Sequence, residues 1–157
     1  MKQQNRKTYS LWILITEAVG ALSGFLSRSG TEAYSTTVVQ PQLSPPPLVF
    51  PIVWVILFAL MGIGAARIYL SAPSKERSLG LNIYAVQLVI NFFWSLIFFN
   101  AQAYGFAFLW LLLLLALVVW MFIVFRKVDP LAAYLQIPYL LWLAFAAYLN
   151  AGVWYLN

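Results

Sequence analysis

Five long apolar stretches, separated by short polar segments, dominate this chain of 157 residues. They cover residues 11–26, 50–70, 81–99, 103–125 and 131–156. About 20 apolar residues cross a bilayer as a helix. Charged residues make up only 8% of the chain, whereas a soluble domain contains about 25%. The sequence therefore predicts an all-α integral membrane protein, a bundle of five transmembrane helices forming a single membrane domain over residues 1–157.

Two of these stretches need separate interpretation. Basic residues precede the first one, as in a signal peptide, but Glu17 interrupts the apolar run and no convincing small-residue cleavage site follows. We therefore predict a retained helix. The fourth stretch is leucine-rich around Trp110 and carries almost no polar atom. It is predicted to have no distinct face and to be widely exposed to lipid.

Basic residues are distributed unequally between the two ends of the predicted bundle. With five spans, one end receives Lys2, Arg6, Lys7, Arg67, Lys75, Arg77, Arg126 and Lys127, and the other receives Arg28 alone. Basic residues beside membrane spans are retained on the cytoplasmic side. This asymmetry predicts a cytoplasmic N-terminus and an outer C-terminus. Six spans, or removal of the first stretch, would scatter the charges instead.

Several kinds of chemistry lack the residues that they need. The chain contains no Cys and no His, and its four acids are Glu17, Glu32, Glu76 and Asp129. Thiolate catalysis, disulfides and thiolate metal sites are excluded, and the commonest general base is missing. No metal, no cofactor and no conventional catalytic residue are predicted. The net charge of +5 belongs to the membrane-flanking residues, so nucleic-acid binding is not predicted.

The connection from about residue 27 to residue 49 is the only long one, and it lies at the outer end. It contains Pro41 and the run from Pro45 to Pro47, so it cannot be helical throughout. A long connection in a small bundle is usually functional or disordered. The prolines predict a fixed, extended segment that closes the bundle as a lid.

Aromatic and amide side chains recur at helical spacing on three stretches. The rows are Phe50, Trp54 and Phe58; Gln87, Asn91, Trp94 and Phe98; and Pro138, Trp142, Phe145 and Leu149. One interpretation is ordinary packing between helices. The other is an apolar cavity with one orienting amide, because a rise of about 1.5 Å per residue brings Trp54, Asn91 and Trp142 together in the outer half. Such a cavity suits flat aromatic ligands.

A second set of polar residues is expected nearer the cytoplasmic end. Glu17, Arg67 and Gln87 fall at similar estimated depths, about 5–10 Å inside the bundle. A charge in a membrane helix usually finds a partner or a wet cavity, so Glu17 is one candidate partner for Arg67. The alternative is that Arg67 reaches the surface and that backbone or amide groups hold Glu17. Small residues at Gly62 and Ala66, and at Ala147 and Ala151, indicate close helix contacts.

Three groups of motifs together resemble those of the translocator protein family, also called tryptophan-rich sensory proteins or peripheral-type benzodiazepine receptors. Around the lid they are Ser44-Pro45-Pro46, Phe50-Pro51, Trp54 and Met61-Gly62. On the third stretch they are Gln87-Leu88, Asn91, Trp94-Ser95 and Phe98-Phe99. On the fifth they are Pro138-Tyr139, Trp142, Phe145-Ala146, Tyr148-Leu149-Asn150, Trp154 and Asn157. With the spacing kept over nearly the whole chain, the protein resembles a bacterial-type member.

The resemblance implies a function as well as a fold. It implies a homodimer in the bacterial cell membrane with a ligand pocket in the outer half. The implied ligands are tetrapyrroles such as protoporphyrin IX and synthetic isoquinoline carboxamides or benzodiazepines, and membrane lipid is a further implied partner. The implied contact residues are Tyr34, Pro45, Phe50, Trp54, Phe58, Asn91, Trp94, Trp142, Phe145, Ala146 and Leu149.

The chain also departs from the family pattern. Leu43 stands at the lid position of a family tryptophan, Gln40 replaces a lysine, and Phe58 replaces a frequent tyrosine. Leu43 is expected to cover a bound ligand without acting as an electron donor. The Leu43→Trp substitution is therefore expected to raise any light-driven porphyrin degradation more than it raises affinity.

Three functions follow from these observations. The preferred one is a membrane receptor that senses, sequesters or transports porphyrin-like molecules. The alternative is an enzyme for light-dependent porphyrin degradation, with Trp54 and Trp142 as possible electron donors. A further alternative is a small-molecule or proton-coupled transporter, for which Glu17 is the one acid within a span.

Overall fold

The computed structural model describes residues 2–157, which form a bundle of helices. In chain order the helices are α1 (Lys2–Leu26), α2 (Arg28–Thr37), α3 (Val49–Tyr69), α4 (Lys75–Ser95), α5 (Tyr104–Val128), α6 (Pro130–Tyr134) and α7 (Ile137–Leu156). A π-helical turn, Leu96–Asn100, continues α4. Five segments are long and apolar enough to cross a membrane: Lys2–Leu26, Val49–Tyr69, Lys75–Asn100, Tyr104–Val128 and Pro130–Leu156. The predicted five-helix membrane protein is confirmed.

Two helices begin earlier than the apolar stretches that revealed them. Helix α1 begins at Lys2 and α4 at Lys75, whereas the predicted stretches begin at residues 11 and 81. Hydropathy marks the part of a helix that lies in lipid, but polar residues continue the helix beyond it. At the start of α4 the hydroxyl of Ser74 accepts a hydrogen bond from the backbone N–H of Arg77 at 3.0 Å, which is a standard N-cap.

Helix α1 packs along α3 and also contacts α4, while α5 packs against α4, α6 and α7. The contact between α1 and α3 is close because Gly62 has no side chain. A Cβ at this position would lie 2.7 Å from the Cα of Ile13. The close contact expected at Gly62 therefore exists within the chain, between α1 and α3.

Helix α5 has a buried face, which the prediction did not include, whereas much of the rest of the helix is exposed as predicted. Ala107, Leu111, Leu114, Val118 and Met121 recur at helical spacing and are all buried in the bundle. Moreover, the indole N–H of Trp110 donates to the carbonyl of Ile90 at 2.7 Å. This face could not be recognised in the sequence, because both the protein-facing and the lipid-facing sides of a membrane helix are apolar.

The candidate pairing of Arg67 with Glu17 is wrong. Arg67 Nε donates instead to Asp129 Oδ2 at 2.7 Å. Asp129 also accepts from the backbone N–H of Leu131 through Oδ1, and it thereby caps α6. Glu17 Oε1 is buried without a hydrogen-bond partner among the described residues. The helical rise per residue predicts how deep a side chain lies in the bundle. It does not predict the direction in which the side chain points from its helix.

The lid, residues 27–49, is not extended throughout. Its first half is α2, which follows α1 almost without a break because the N–H of Thr31 donates to the carbonyl of Ser27. The prolines come only after α2 ends at Thr37. Gly30 packs so closely on the π-helical turn that a Cβ there would lie 2.6 Å from the backbone of Phe99. The lid is thus a helix docked on the end of α4, followed by a proline-rich segment.

Candidate ligand-binding site

A cavity of about 370 Å³ lies under the lid, between the ends of α3, α4 and α7 that are next to it. Eight of the eleven residues predicted to contact ligand line it: Tyr34, Pro45, Phe50, Trp54, Trp94, Trp142, Ala146 and Leu149. Ligand pockets occupy roughly 300–1,000 Å³, so the size is that of a small-molecule site. The three rows of aromatic residues found in the sequence therefore meet around a common space.

One wall of the cavity is built by α3 and α7. The ring centroids of Trp54 and Trp142 are 6.2 Å apart and the rings are nearly perpendicular, at 88°. Phe50 meets Trp142 edge to face at 5.9 Å. Edge-to-face contacts of this kind hold each ring in place. The wall consequently presents fixed, flat aromatic surfaces.

A second wall is built by α4 and its π-helical turn. Trp94 and Phe98 stack at 5.0 Å with 21° between their planes. The indole N–H of Trp94 donates to Asn150 Oδ1 at 3.1 Å, which fixes the ring against α7. The adjacent residues Phe98 and Phe99 both line the cavity, within a turn whose spacing differs from that of an α-helix. Such π-helical turns are frequent at functional sites.

The third side of the cavity is polar, and most of its residues were not predicted from the sequence. Arg28, Thr31 and Ser35 on α2 line the cavity, together with Gln40 beyond it. Arg28, Thr31 and Ser35 are spaced three and four residues apart, which is helical spacing and could have indicated a helix here. The prolines that follow indicated an extended loop instead. The cavity thus has two aromatic walls and a polar edge supplied by the lid.

Tyr34 joins α2 to the aromatic wall. It is buried between Phe98, at 5.5 Å between ring centroids, and Phe99, at 5.3 Å. Burial, and to a lesser extent the nearby hydroxyl of Tyr104, raises the pKa of Tyr34 to about 12. Its hydroxyl therefore stays protonated throughout the physiological pH range.

Three predicted contact residues do not line the cavity. Phe58 is buried one turn below Trp54, at 5.4 Å between ring centroids. Phe145 packs beside Trp142 at 5.7 Å. Asn91 lies deeper, and its Nδ2 donates to the hydroxyl of Tyr139 at 2.7 Å. The amide expected to orient a ligand is thus engaged inside the bundle.

Tyr139 is the centre of a buried polar network below the cavity. Its hydroxyl accepts from Asn91 and donates to Gln87 Oε1 at 2.8 Å. Tyr139 and Gln87 are almost inaccessible, at 1% and 0% exposed. The Tyr139→Phe substitution is therefore expected to leave Asn91 Nδ2 and Gln87 Oε1 without a partner and to cost about 1–3 kcal/mol of stability.

Thermal unfolding in detergent measures this loss. Tyr155→Phe is the control, because Tyr155 is 89% exposed. If the two variants unfold at the same temperature, the network does not stabilise the bundle.

The proline-rich part of the lid is attached to the end of α7. Asn157 accepts from the N–H of Val39 and donates to the Val39 carbonyl at 2.7 Å. The hydroxyl of Tyr148 donates to the carbonyl of Gln42 at 2.7 Å. Leu43 has a φ of 71° and is 80% exposed, so it does not cover the cavity as expected.

Comparisons with known proteins agree with this architecture. Residues 12–156 match the TspO/MBR family. The tryptophan-rich protein TspO of Chlorobaculum tepidum is 35% identical over 151 residues, 96% of each chain. The translocator protein of Ovis aries is 40% identical over 117 residues, 73% of this chain and 69% of the relative. The tryptophan-rich sensory protein of Cereibacter sphaeroides is 29% identical, covering 95% and 92% of the two chains.

Proposed function

Because the chain belongs to the TspO/MBR family, we propose that it is a membrane receptor for porphyrin-like tetrapyrroles and other flat aromatic ligands. The observation that carries the proposal is the meeting of two aromatic walls, from α3 and α7 and from α4, around one cavity. Stacking on indole and phenyl rings is the recognition that this surface offers. The eight predicted residues that line the cavity are the proposed contacts.

A tetrapyrrole needs more room than this partly open cavity provides. At about 370 Å³ the cavity is near the lower end of the range for drug-sized ligands, roughly 300–1,000 Å³, and a macrocycle is larger. The lid, which is held to α7 through Asn157 and Tyr148, would have to move outward. Phe58, Asn91 and Phe145 remain proposed contacts for such an enlarged cavity.

Quenching of tryptophan fluorescence tests this function. The purified protein in detergent is titrated with protoporphyrin IX and, separately, with an isoquinoline carboxamide. We expect saturable binding of each at one site per chain, and competition between them because they share the cavity. Quenching that never saturates, or two ligands that bind without competing, would contradict a common site.

The second candidate function is light-dependent porphyrin degradation. It is supported by three indoles that line the cavity, those of Trp54, Trp94 and Trp142, since an electron donor must contact the excited ring. Faster bleaching of bound porphyrin than of porphyrin in detergent alone would support it. Leu43→Trp is no longer expected to raise the rate, because Leu43 is exposed and does not line the cavity.

Transport coupled to protons has less support. Glu17 does not line the cavity, so this acid is not placed to exchange protons with a bound ligand there. A homodimer is also proposed from the family resemblance. The mass of the protein in detergent, measured by light scattering, tests whether two chains associate.

We further propose a bacterial cell membrane with the N-terminus in the cytoplasm, on the basis of the eight basic residues at that end. The absence of native Cys allows single thiols to be introduced. Tyr155→Cys, in an exposed position at the outer end, is expected to react with an impermeant maleimide in intact cells. Ala72→Cys, in the connection between α3 and α4, is expected to react only after permeabilisation. The reverse pattern would refute this orientation.

A further inference from the structure

Arg28 is the one ionised side chain among the residues that line the cavity. It is the first residue of α2, and its guanidinium lies 4.3 Å from the ring centroid of Phe25. A guanidinium held over an aromatic face is restricted in orientation while its N–H donors remain available. Phe25 is itself exposed and does not line the cavity, so the contact holds the exposed Arg28 side chain beside the cavity, at its edge.

No carboxylate of the described residues pairs with this guanidinium. Over residues 2–157 the one ion pair is between Arg67 and Asp129, at the opposite end of the bundle. Glu32 lies one turn from Arg28 on α2 but does not reach it, and it does not line the cavity. Arg28 thus provides an unneutralised positive charge at the edge of an otherwise uncharged site.

The remaining lining divides into two chemically different sides. Trp54, Trp142 and Phe98 form aromatic surfaces, whereas Thr31 and Ser35 lie on the same helix as Arg28. The two hydroxyls donate to nearby backbone carbonyls, Thr31 to that of Ser27, just before α2, and Ser35 to that of Thr31. They therefore contribute acceptor oxygens more readily than free donors, and Arg28 is the strong donor on this side.

From this arrangement we propose that Arg28 determines specificity by pairing with a carboxylate carried on the edge of a flat aromatic ligand. The aromatic body would lie between the indole walls and the acid would point toward α2. A guanidinium binds a carboxylate through two parallel hydrogen bonds, so the pairing fixes orientation as well as charge. This inference rests on the proposed function, and it adds that neutral ligands of the same shape bind less tightly.

A pair of ligands with the same ring, one with carboxylates and one with methyl esters in their place, tests the proposal. Protoporphyrin IX carries two carboxylates, and its dimethyl ester has the same ring with none. Both are titrated against the native protein in non-ionic detergent without added lipid, so that no lipid phosphate competes for Arg28. We expect the acid to bind about tenfold more tightly than the ester, as for one charge-assisted hydrogen-bonded pair.

Variants then assign the preference to one residue. Arg28→Gln is expected to reduce the ratio of acid to ester affinity to about one, because it weakens acid binding more than ester binding, and Arg28→Lys is expected to retain part of the ratio. Arg77→Gln is the control, since Arg77 lies at the cytoplasmic end and donates to the carbonyl of Tyr69.

The outcomes separate this proposal from the proposed function. Equal affinity of the native protein for acid and ester would overturn the role of Arg28 while leaving a receptor for flat aromatic molecules. A preference that survives in Arg28→Gln would overturn it as well. Saturable binding of neither compound would overturn both the role of Arg28 and the receptor function.

Discussion

Replacing Trp142 with Ala is expected to weaken the binding of a flat aromatic ligand by about 1–3 kcal/mol, or roughly 5- to 150-fold. Trp142 lines the cavity and contacts both Trp54 and Phe50 edge to face. Its removal takes away one stacking surface and also frees the two neighbouring rings. Its indole N–H has no hydrogen-bond partner among the described residues, so the substitution tests packing without breaking a hydrogen bond.

Titration of the variant with protoporphyrin IX, followed by fluorescence of the ligand, measures this loss. Trp120→Ala is the matched control, because Trp120 is 48% exposed on α5 and does not line the cavity. Trp110 is unsuitable as a control, since its indole N–H donates to the Ile90 carbonyl. Equal losses at Trp142 and Trp120 would mean that the aromatic row on α7 is ordinary packing.

Gly62→Leu is expected to cost about 3 kcal/mol of stability, the upper part of the usual range for overpacking. A Cβ at position 62 would lie 2.7 Å from the Cα and 3.0 Å from the N of Ile13. These are backbone atoms, so no side-chain rotation can relieve the contact, and α1 and α3 must separate. Gly62→Ala is expected to lower the stability as well, but by a smaller amount.

The control for this prediction is Gly24→Ala, on α1. A Cβ at Gly24 meets no atom within 4 Å, and Ala favours a helix over Gly by about 0.5–1 kcal/mol. Thermal unfolding in detergent should therefore show a lower midpoint for Gly62→Ala and an unchanged or higher one for Gly24→Ala. An unchanged midpoint for Gly62→Leu would show that α1 and α3 are not closely packed at this level.

Much of the cavity could be predicted before any coordinates. The rows containing Trp54, Trp94 and Trp142 were recognisable because side chains three and four residues apart share one face of a helix. The structure places all three around the cavity. Asn91 belongs to the same row as Trp94 but turns into the bundle toward Tyr139. Sequence spacing assigns residues to a face, and the neighbouring helices decide which of them reach the cavity.

The polar edge of the cavity could not be predicted in the same way. From the sequence, Arg28 was used only as the single basic residue at the predicted outer end. The prolines of the lid predicted an extended chain rather than a helix. Residues 28–37 nevertheless form α2, which docks on the π-helical turn near Gly30. That docking depends on contacts between segments about 70 residues apart, which no local pattern records.

By itself, the sequence determined that this chain forms five membrane helices, because lipid requires long apolar segments with internally bonded backbones. It also determined which aromatic rows could form walls. The tertiary structure alone decided that Arg67 pairs with Asp129 rather than Glu17, which face of α5 is buried, and that Arg28 reaches the cavity. The physical reason is that in lipid both sides of a helix are apolar, so the rotation of each helix is set by packing and polar pairing with its neighbours.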